Sequence, residues 1–303
     1  RRGAAVAARR DAAAGADLPL FLALVKILGV ALLYAAGVAM YGLGALVFGD
    51  RRAGAGAALL LPLMPKMVWG ALSGMETPLL VLLVTLALYL MARFTERGAG
   101  RDLLTPAVIG LAGLTRPEAM LLFPIFVAYQ LLLAWRRRPA FGPLIGRLVV
   151  QTLVFALVLS PNVLWTYSLT GQPMANTFYA KTRGIDPSAS VRFFALGSLI
   201  LWADPPATLT LPQMLAWPPA SLGVALRLLL SGLKAAAIAG LFAAGLWRLK
   251  DKRQAWPALA WLAGDFLLYT VLFTRANRHY FVPMLPSIAL FAGGGLAWLV
   301  ARS

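Results

Sequence analysis

Ionisable and hydrogen-bonding side chains interrupt the long apolar stretches of this sequence at four places. The first is Glu76 in "LSGMETPLLV", where a carboxylate stands in sequence apolar enough to enter a membrane. An unpaired carboxylate is costly in hydrocarbon, so such an acid usually pairs or faces a working cavity. Ten residues of the four stretches are candidate substrate-binding residues: Glu76; Arg116 and Glu118; Asn176, Tyr179, Lys181 and Arg183; Arg278, His279 and Tyr280.

The cations of these stretches, which also include Arg275, outnumber the acids. This balance favours an anionic ligand such as a phosphate, to which arginine presents a planar fork and lysine a point charge. We expect the four stretches to converge on one face of the protein, where acids and bases can pair around a water-filled cleft instead of meeting lipid.

The two acidic stretches also have a structural interpretation. Glu76 could accept hydrogen bonds from the first N–H groups of the helix that starts near Pro78, a favourable place beside the helix dipole. Arg116 and Glu118 could form an ion pair that fixes a helical hairpin.

The remaining polar residues have similar alternatives. Lys181 and Arg183 could be solvated loop charges, and His279 could be an interfacial histidine without a catalytic role. Asp265 lies in the middle of an apolar segment and is interpreted as a lone polar contact to a neighbouring helix.

The composition excludes an ordinary soluble domain. Of 303 residues, 60% are hydrophobic and 13% are charged, and the formal net charge is +17. The basic residues cluster in short loops between apolar segments, so they indicate membrane topology and anionic lipid contacts and not nucleic-acid binding. Without cysteine and with His279 as the single histidine, thiolate chemistry and a His-rich metal site are excluded.

Apolar segments that suit a hydrocarbon layer of roughly 30 Å recur from end to end. They predict an all-α, polytopic transmembrane bundle formed by residues 1–303 as a single domain. "LTRPEA" is predicted to be the turn of a tight hairpin. We count nine segments: Leu18 to Phe48, Ala55 to Ala71, Pro78 to Ala92, Leu103 to Leu114, Ala119 to Trp135, Leu148 to Tyr167, Leu222 to Trp247, Ala255 to Thr274 and Phe281 to Val300.

The loops between these segments differ in charge on the two sides of the membrane. If the segments alternate, one side holds fourteen basic residues, and by the positive-inside rule that side is cytoplasmic. The opposite side holds the four polar stretches and six basic residues: Arg116, Lys181, Arg183, Arg192, Arg275 and Arg278. The candidate site is therefore expected to face the extracytoplasmic side.

Two parts of the chain, the basic N-terminal stretch and one long loop, need a separate interpretation. Four arginines near the start, at positions 1, 2, 9 and 10, are placed outside against the rule, and a missing first helix and first outer loop would explain this. Residues 168–221 are too apolar and aromatic for a disordered linker, and we expect this extracytoplasmic loop to pack over the outer mouth of the bundle.

Four motifs in order resemble the GT-C superfamily of polytopic glycosyltransferases, which use polyprenyl-phosphate-linked sugars. The motifs are "SGMETPL", "GLTRPEAMLLFP", "NTFYAKT" and "NRHYFVPMLP". They are similar to those of bacterial envelope enzymes of the arabinofuranosyltransferase-like and family 39-like kinds. The resemblance covers about Leu20 to Val300.

The resemblance implies a fold in which a first outer loop supplies the catalytic Asp or Glu and a second long outer loop caps the donor site. Residues 168–221 match the second loop. The first has no counterpart here, so the catalytic acid is expected upstream of Arg1, and this N-terminally truncated chain is expected to be inactive alone.

The mechanism that the resemblance implies is attack of an acceptor hydroxyl on the anomeric carbon of the donor sugar while polyprenyl phosphate leaves. Arg116, Lys181 and Arg278, followed by Arg183 and His279, would offset charge on the leaving phosphate. The two acids, Glu76 and Glu118, would orient these cations, bind sugar hydroxyls or hold a divalent cation. Hydrogen bonds to the sugar or phosphate would come from Asn176, Tyr179 and Tyr280.

The expected function is thus a pentosyl- or hexosyltransferase of the bacterial inner membrane. Its partners would be a polyprenyl-phosphate-linked sugar, an envelope glycan, lipid or protein acceptor, and membrane lipids. The main alternative is a transporter or flippase for an anionic lipid-linked substrate, and a non-enzymatic membrane scaffold is a third interpretation. A transporter of this kind should show repeat symmetry and helices broken near the bilayer midplane.

Overall fold

The computed structural model describes residues 2–97, 102–137, 141–173, 222–249, 252–272 and 278–303. Within these ranges only the backbone is described at positions 2–18, 94–97, 136–137, 141, 222–224, 227–228, 272 and 278–280. The described part contains helices and no strand. The prediction of an all-α polytopic fold is therefore confirmed.

Ten α-helices follow one another in the described part of the chain. They are α1 (Arg2–Phe48), α2 (Arg51–Leu63), α3 (Pro65–Leu72), α4 (Thr77–Arg97), α5 (Leu104–Thr115), α6 (Leu122–Arg137), α7 (Phe141–Thr170), α8 (Leu222–Leu249), α9 (Trp256–Leu272) and α10 (Leu285–Val300). Three short 3₁₀ helices lie between them: Pro117–Leu121, Arg253–Ala255 and Arg278–Met284.

The count of nine membrane segments is not confirmed. Five helical stretches in the described part are long and apolar enough to cross a membrane: Pro19–Phe48, Pro117–Trp135, Gly142–Thr170, Leu229–Leu249 and Phe281–Val300. The pair α2 and α3 would make a sixth, but it is bent by 59° at Met64. Prolines at positions 62 and 65 flank this break. They explain it, because proline removes a helical hydrogen bond and clashes with the preceding turn.

Local sequence determines several helix ends. The Asp50 carboxylate accepts a hydrogen bond from the backbone N–H of Arg52 and so caps α2. Gly49 precedes it with φ 67°, a conformation that glycine adopts without steric cost. Helix α7 extends to Thr170, so residues 168–170, predicted to begin the long outer loop, belong to a helix. The rest of that loop, from residue 174, lies outside the described residues.

The predicted hairpin turn lies at the expected place, but its first helix has other packing partners. Helix α5 ends at Thr115 and the 3₁₀ helix starts at Pro117. Helix α5 packs chiefly against α4 and α7. Glycine allows α5 to approach α7 closely. A Cβ at Gly110 would lie only 2.9 Å from the Val158 side chain, which is too close for an ordinary contact.

We name the two ends of the bundle by residues that lie there. At the Asp50 end, Arg248 of α8 lies 3.7 Å from the Asp50 carboxylate, and Lys252 donates to the carbonyl oxygen of Phe48 at 2.8 Å. At the Glu76 end lie the turn between α3 and α4 and the 3₁₀ helix Pro117–Leu121. Helices α2 and α3 lead from the first end toward the second.

Helix α10 is the most deeply buried of the apolar helices and packs against α2 and α8. Its glycines make these contacts close. A Cβ at Gly295 would overlap the backbone carbonyl of Leu241, and a Cβ at Gly245 would overlap that of Phe291. In membranes such small-residue contacts let helix backbones approach and pack tightly.

A glycine substitution tests this packing. Gly245→Ala is expected to lower the free energy of unfolding by about 1–3 kcal/mol, because the new methyl group meets backbone that cannot rotate away. Gly240→Ala, on the same helix, is the matched control, since a Cβ there meets nothing within 4 Å. Thermal unfolding in detergent should show a lower transition temperature for Gly245→Ala alone. Equal transitions would contradict the α8–α10 contact.

Helix α9 is fixed to the segment that follows it by two buried hydrogen bonds. The indole N–H of Trp261 donates to the carbonyl oxygen of Pro283 at 2.7 Å, and Ser287 donates to that of Ala258 at 2.8 Å. Burial of these donors makes the bonds costly to lose. They hold α9 in place against the α10 side of the bundle, and α9 in turn contacts the 3₁₀ helix Pro117–Leu121.

Candidate functional site

The central feature at the Glu76 end is an ion pair between two of the predicted site residues. The Nε of Arg116 lies 2.8 Å from Oε1 of Glu76 and donates a hydrogen bond to it. The Arg116 side chain is 14% exposed and that of Glu76 is 41% exposed. The pair therefore has an inner cation and an outer carboxylate that reaches solvent or a ligand.

The backbone around Arg116 places it where two helices meet. Arg116 is extended, with φ −148° and ψ 129°, because the following Pro117 disfavours the helical conformation of the residue before it. Glu76 precedes α4, and its carbonyl oxygen accepts the N–H of Leu80 at 3.0 Å. Gly74, with φ 73°, forms the tight turn that brings Glu76 to this position.

A second acid lies behind this ion pair. Glu118 is 8% exposed, and its Oε1 accepts a hydrogen bond from the Tyr269 hydroxyl at 3.0 Å. Its other oxygen, Oε2, is buried without a hydrogen-bond partner. An unsatisfied buried carboxylate oxygen is costly, so a further hydrogen bond to Oε2 would be favourable.

A third acid of this cluster comes from helix α9. Asp265 is fully buried, and neither of its carboxylate oxygens has a hydrogen-bond partner. It interacts electrostatically with Glu118 and Arg116. Asp265 and Tyr269 are four residues apart, so they lie on one face of α9. We call Glu76, Arg116, Glu118, Asp265 and Tyr269 the acid–arginine cluster.

The environment of Arg116 keeps its charge. Burial acts to lower the pKa of Arg116, but Tyr269, Glu76 and Glu118 outweigh it and raise that pKa above its ordinary value. Arg116 is therefore a permanent cation that is largely withdrawn from solvent. Such a group interacts with an anionic ligand more strongly than the same group does in water.

The structure brings together three of the ten predicted site residues. Glu76, Arg116 and Glu118 lie in one cluster. The backbone of Arg278, His279 and Tyr280 forms the start of the 3₁₀ helix Arg278–Met284, and their side chains lie outside the described part. Outside the described residues lie Asn176, Tyr179, Lys181 and Arg183.

Sequence reasoning did not assign Asp265 and Tyr269 to the site. Asp265 was interpreted as a lone contact to a neighbouring helix, whereas the structure places it beside Glu118 and Arg116 without a hydrogen bond. Two signals could have found the pair. An acid inside an apolar helix indicates function, and a tyrosine four residues later shares its face.

The acid–arginine cluster is poorly suited to binding a metal ion. Among the described residues, no group of three or more His, Asp or Glu side chains could hold one. Glu76 and Glu118 both lie near Arg116, whose positive charge disfavours a second cation between them. The described residues fit an anionic or hydroxyl-bearing ligand better than a bound metal.

Residues 19–165 match the model of the dolichyl-phosphate-mannose-protein mannosyltransferase family. This stretch is therefore similar to a GT-C type glycosyltransferase domain. The match includes Glu76, Arg116 and Glu118, whereas Asp265 and Tyr269 lie beyond it. The family match supports a membrane glycosyltransferase that depends on a polyprenyl-phosphate-linked sugar. No curated protein and no solved structure matches the chain.

The hydrogen bond between Tyr269 and Glu118 can be tested separately from activity. Tyr269→Phe is expected to lower the free energy of unfolding by about 1–3 kcal/mol, because it leaves a buried carboxylate oxygen unsatisfied. Tyr34→Phe is the control, since Tyr34 is 76% exposed. The transition temperature in detergent should fall for Tyr269→Phe and stay constant for Tyr34→Phe. A fall of the same size in both would contradict the assigned bond.

Proposed function

We propose that the protein transfers a pentose or hexose from a polyprenyl-phosphate donor to an envelope glycan, lipid or protein on the extracytoplasmic face of the bacterial inner membrane. The observation that supports this most is the acid–arginine cluster, three of whose five residues lie in the stretch that matches the glycosyltransferase family model. It combines a largely buried permanent cation with buried carboxylate oxygens that lack a hydrogen-bond partner.

In the proposed reaction an acceptor hydroxyl oxygen forms a bond to the anomeric carbon. The bond from that carbon to the phosphate oxygen breaks, and polyprenyl phosphate leaves with the electron pair. The acceptor proton goes to a carboxylate, which we do not assign to a residue of this chain. Charge grows on the leaving phosphate, so a preorganised cation beside it lowers the barrier.

We assign that cation role to Arg116. Its Nε is held by Glu76, which fixes the orientation of the guanidinium group. Preorganised donors stabilise developing charge without reorganisation during the reaction. In this proposal Glu118, whose Oε2 lacks a hydrogen-bond partner, and the half-exposed Glu76 accept hydrogen bonds from sugar hydroxyl groups.

A panel of donors tests the proposed activity. The full-length gene product, in nanodiscs, is incubated with radiolabelled polyprenyl-phosphate pentoses and hexoses and a crude envelope acceptor. Transfer from one donor, lowered by Glu76→Gln at equal protein stability, would support the proposal. No transfer from any donor, with Glu76→Gln equal to the parent in donor binding, would contradict it and favour transport of a lipid-linked anion.

The proposed orientation has its own test, because the chain contains no cysteine. Ser73→Cys lies at the Glu76 end and Ser303→Cys at the chain end after α10, and both positions are exposed. A membrane-impermeant maleimide added to intact spheroplasts should label Ser73→Cys and leave Ser303→Cys unlabelled until lysis. The reverse pattern would place the cluster on the cytoplasmic side.

A further inference from the structure

Three buried carboxylate oxygens of the acid–arginine cluster lack a hydrogen-bond donor. They are Oε2 of Glu118 and both carboxylate oxygens of Asp265. Asp265 is fully buried and Glu118 is 8% exposed, so bulk water does not satisfy these atoms. Buried polar atoms are normally hydrogen-bonded, and three unsatisfied acceptors in one place indicate that a donor belongs between them.

The fold brings the two carboxyl groups together through helix α9. The Tyr269 hydroxyl donates to Oε1 of Glu118 at 3.0 Å, and Asp265 lies one turn before Tyr269 on the same face of α9. Helix α9 also contacts the 3₁₀ helix Pro117–Leu121, which carries Glu118. Asp265 therefore lies near Glu118 where these two elements meet, and the two groups interact electrostatically.

Arg116 is the described cation that acts on both acids. Its Nε is already held by the Glu76 carboxylate at 2.8 Å. If Glu76, Glu118 and Asp265 were all ionised, three negative charges would surround this one positive charge. The other elements that contact α9 carry their described titratable groups toward the Asp50 end of the bundle: Tyr89, Arg93, Tyr129 and Arg253.

Two ionised carboxylates in this place are costly. A buried carboxylate without hydrogen bonds loses its hydration, and two like charges that share a site disfavour each other's ionisation. A single proton removes one of the two negative charges. It also supplies an O–H donor, so that one unsatisfied oxygen of each residue gains a partner.

We propose that Asp265 and Glu118 share one proton, and that this proton maintains the affinity of the cluster for an anionic phosphodiester. With the proton in place, Glu118, Asp265 and Arg116 together carry no net charge. Without it they carry one negative charge, which repels phosphate. The shared proton is a property of the unliganded protein, and its effect on a phosphodiester rests on the proposed function.

Proton loss should weaken phosphodiester binding, and a bound phosphodiester should retain the proton. The two effects are equal in size, because linkage between two ligands of one protein is reciprocal. As the pH rises through the point at which the pair loses its proton, the Kd for the phosphodiester should increase about tenfold, which lies within the usual range for coupled sites.

Infrared difference spectroscopy of the unliganded protein detects the proton itself. The full-length protein is measured at pH 7 in a maltoside detergent, which contains no carbonyl group. The spectrum of the parent minus that of Asp265→Asn should show the C=O stretch of a protonated carboxylic acid. Asp50→Asn is the matched control, because the Asp50 carboxylate accepts from Arg52 and lies 3.7 Å from Arg248. Its difference spectrum should lack this band.

Glu118→Gln distinguishes a shared proton from one that burial alone holds on Asp265. The variant removes the like charge beside Asp265, so the infrared band should disappear at a pH lower by about one unit, as expected for two interacting carboxyl groups. Disappearance of the band at the same pH in the parent and in Glu118→Gln would contradict the sharing. This comparison does not depend on the folding of an Asp265 variant.

Binding of polyprenyl methyl phosphate measures the effect on an anion. This diester carries one charge that does not titrate near neutral pH, and its binding requires no acceptor. The Kd of the parent and of Asp50→Asn should rise about tenfold over the pH range in which the infrared band disappears. Asp265→Asn keeps an N–H donor and has no proton to lose, so its Kd should stay constant over that range. Thermal unfolding checks the folding of each variant.

The outcomes separate this inference from the proposed function. An Asp265-dependent band whose loss coincides with weaker diester binding would support the shared proton, and it would do so even if no sugar were transferred, which would count against the transferase alone. A parent without the band at pH 7, or with a Kd that does not change as the band disappears, would overturn the inference. Sugar transfer by the same protein would then leave the transferase standing.

Discussion

Arg116→Ala is expected to lower kcat for sugar transfer by about 10²–10³-fold, the usual effect of losing one preorganised donor to a developing anion. Arg116 is largely buried, permanently charged and held by Glu76 through a 2.8 Å hydrogen bond. In the proposed reaction its removal takes away the cation beside the leaving phosphate. Initial rates at saturating donor measure the effect.

Two further variants test whether the loss of rate is specific to the guanidinium group of Arg116. Arg52→Ala removes an exposed arginine at the Asp50 end and should retain the parent rate. Arg116→Lys keeps the charge but loses the planar fork, so it should recover only part of the rate. Full activity of Arg116→Ala, with protein of parent stability, would remove Arg116 from the reaction.

The second large effect is expected at Asp265. Substitutions there should change stability and activity in opposite directions. Asp265→Leu is expected to raise the free energy of unfolding by about 1–3 kcal/mol, since it removes a fully buried carboxyl group without hydrogen-bond partners. The same change should lower kcat about tenfold, because it removes the carboxyl group that interacts electrostatically with Arg116.

The comparison with Asn separates charge from shape at this position. Asp265→Asn keeps the shape but replaces the ionisable carboxyl group by an amide, so it should lose as much activity as Asp265→Leu. Ser287→Ala is the control for a purely structural polar group, because it breaks the 2.8 Å bond to Ala258. That variant should lose stability and keep its rate at permissive temperature. Lower stability with unchanged kcat in Asp265→Leu would show a structural role.

Much of the architecture follows from patterns that the sequence displays directly. Long apolar stretches predict membrane helices, and the Pro117 turn appears where "LTRPEA" predicts it. The pairing of Glu76 with Arg116 could be anticipated in part, because both stretches were expected at one face. Their contact joins residues 40 positions apart, which hydropathy and charge alone do not specify.

The parts that the sequence did not predict depend on packing between helices. The bend at Met64 shortens a predicted span, and its angle of 59° depends on how α3 packs onto α1 and α4. Asp265 reaches Glu118 only because α9 contacts the 3₁₀ helix Pro117–Leu121. The groove between α2, α3, α8 and α10 likewise combines four helices, of which α8 is remote in sequence from α2 and α3.

The central claim is that this protein breaks the bond between a sugar and a polyprenyl phosphate, and a doubly labelled donor tests it most directly. The donor carries tritium in the sugar and ³²P in the phosphate, and it is given to the full-length protein in proteoliposomes with envelope acceptor. We predict that tritium moves to the acceptor while ³²P stays with the lipid, and that Arg116→Ala slows this separation. Movement of both labels together across the bilayer, with the donor intact, would contradict the account and identify a transporter.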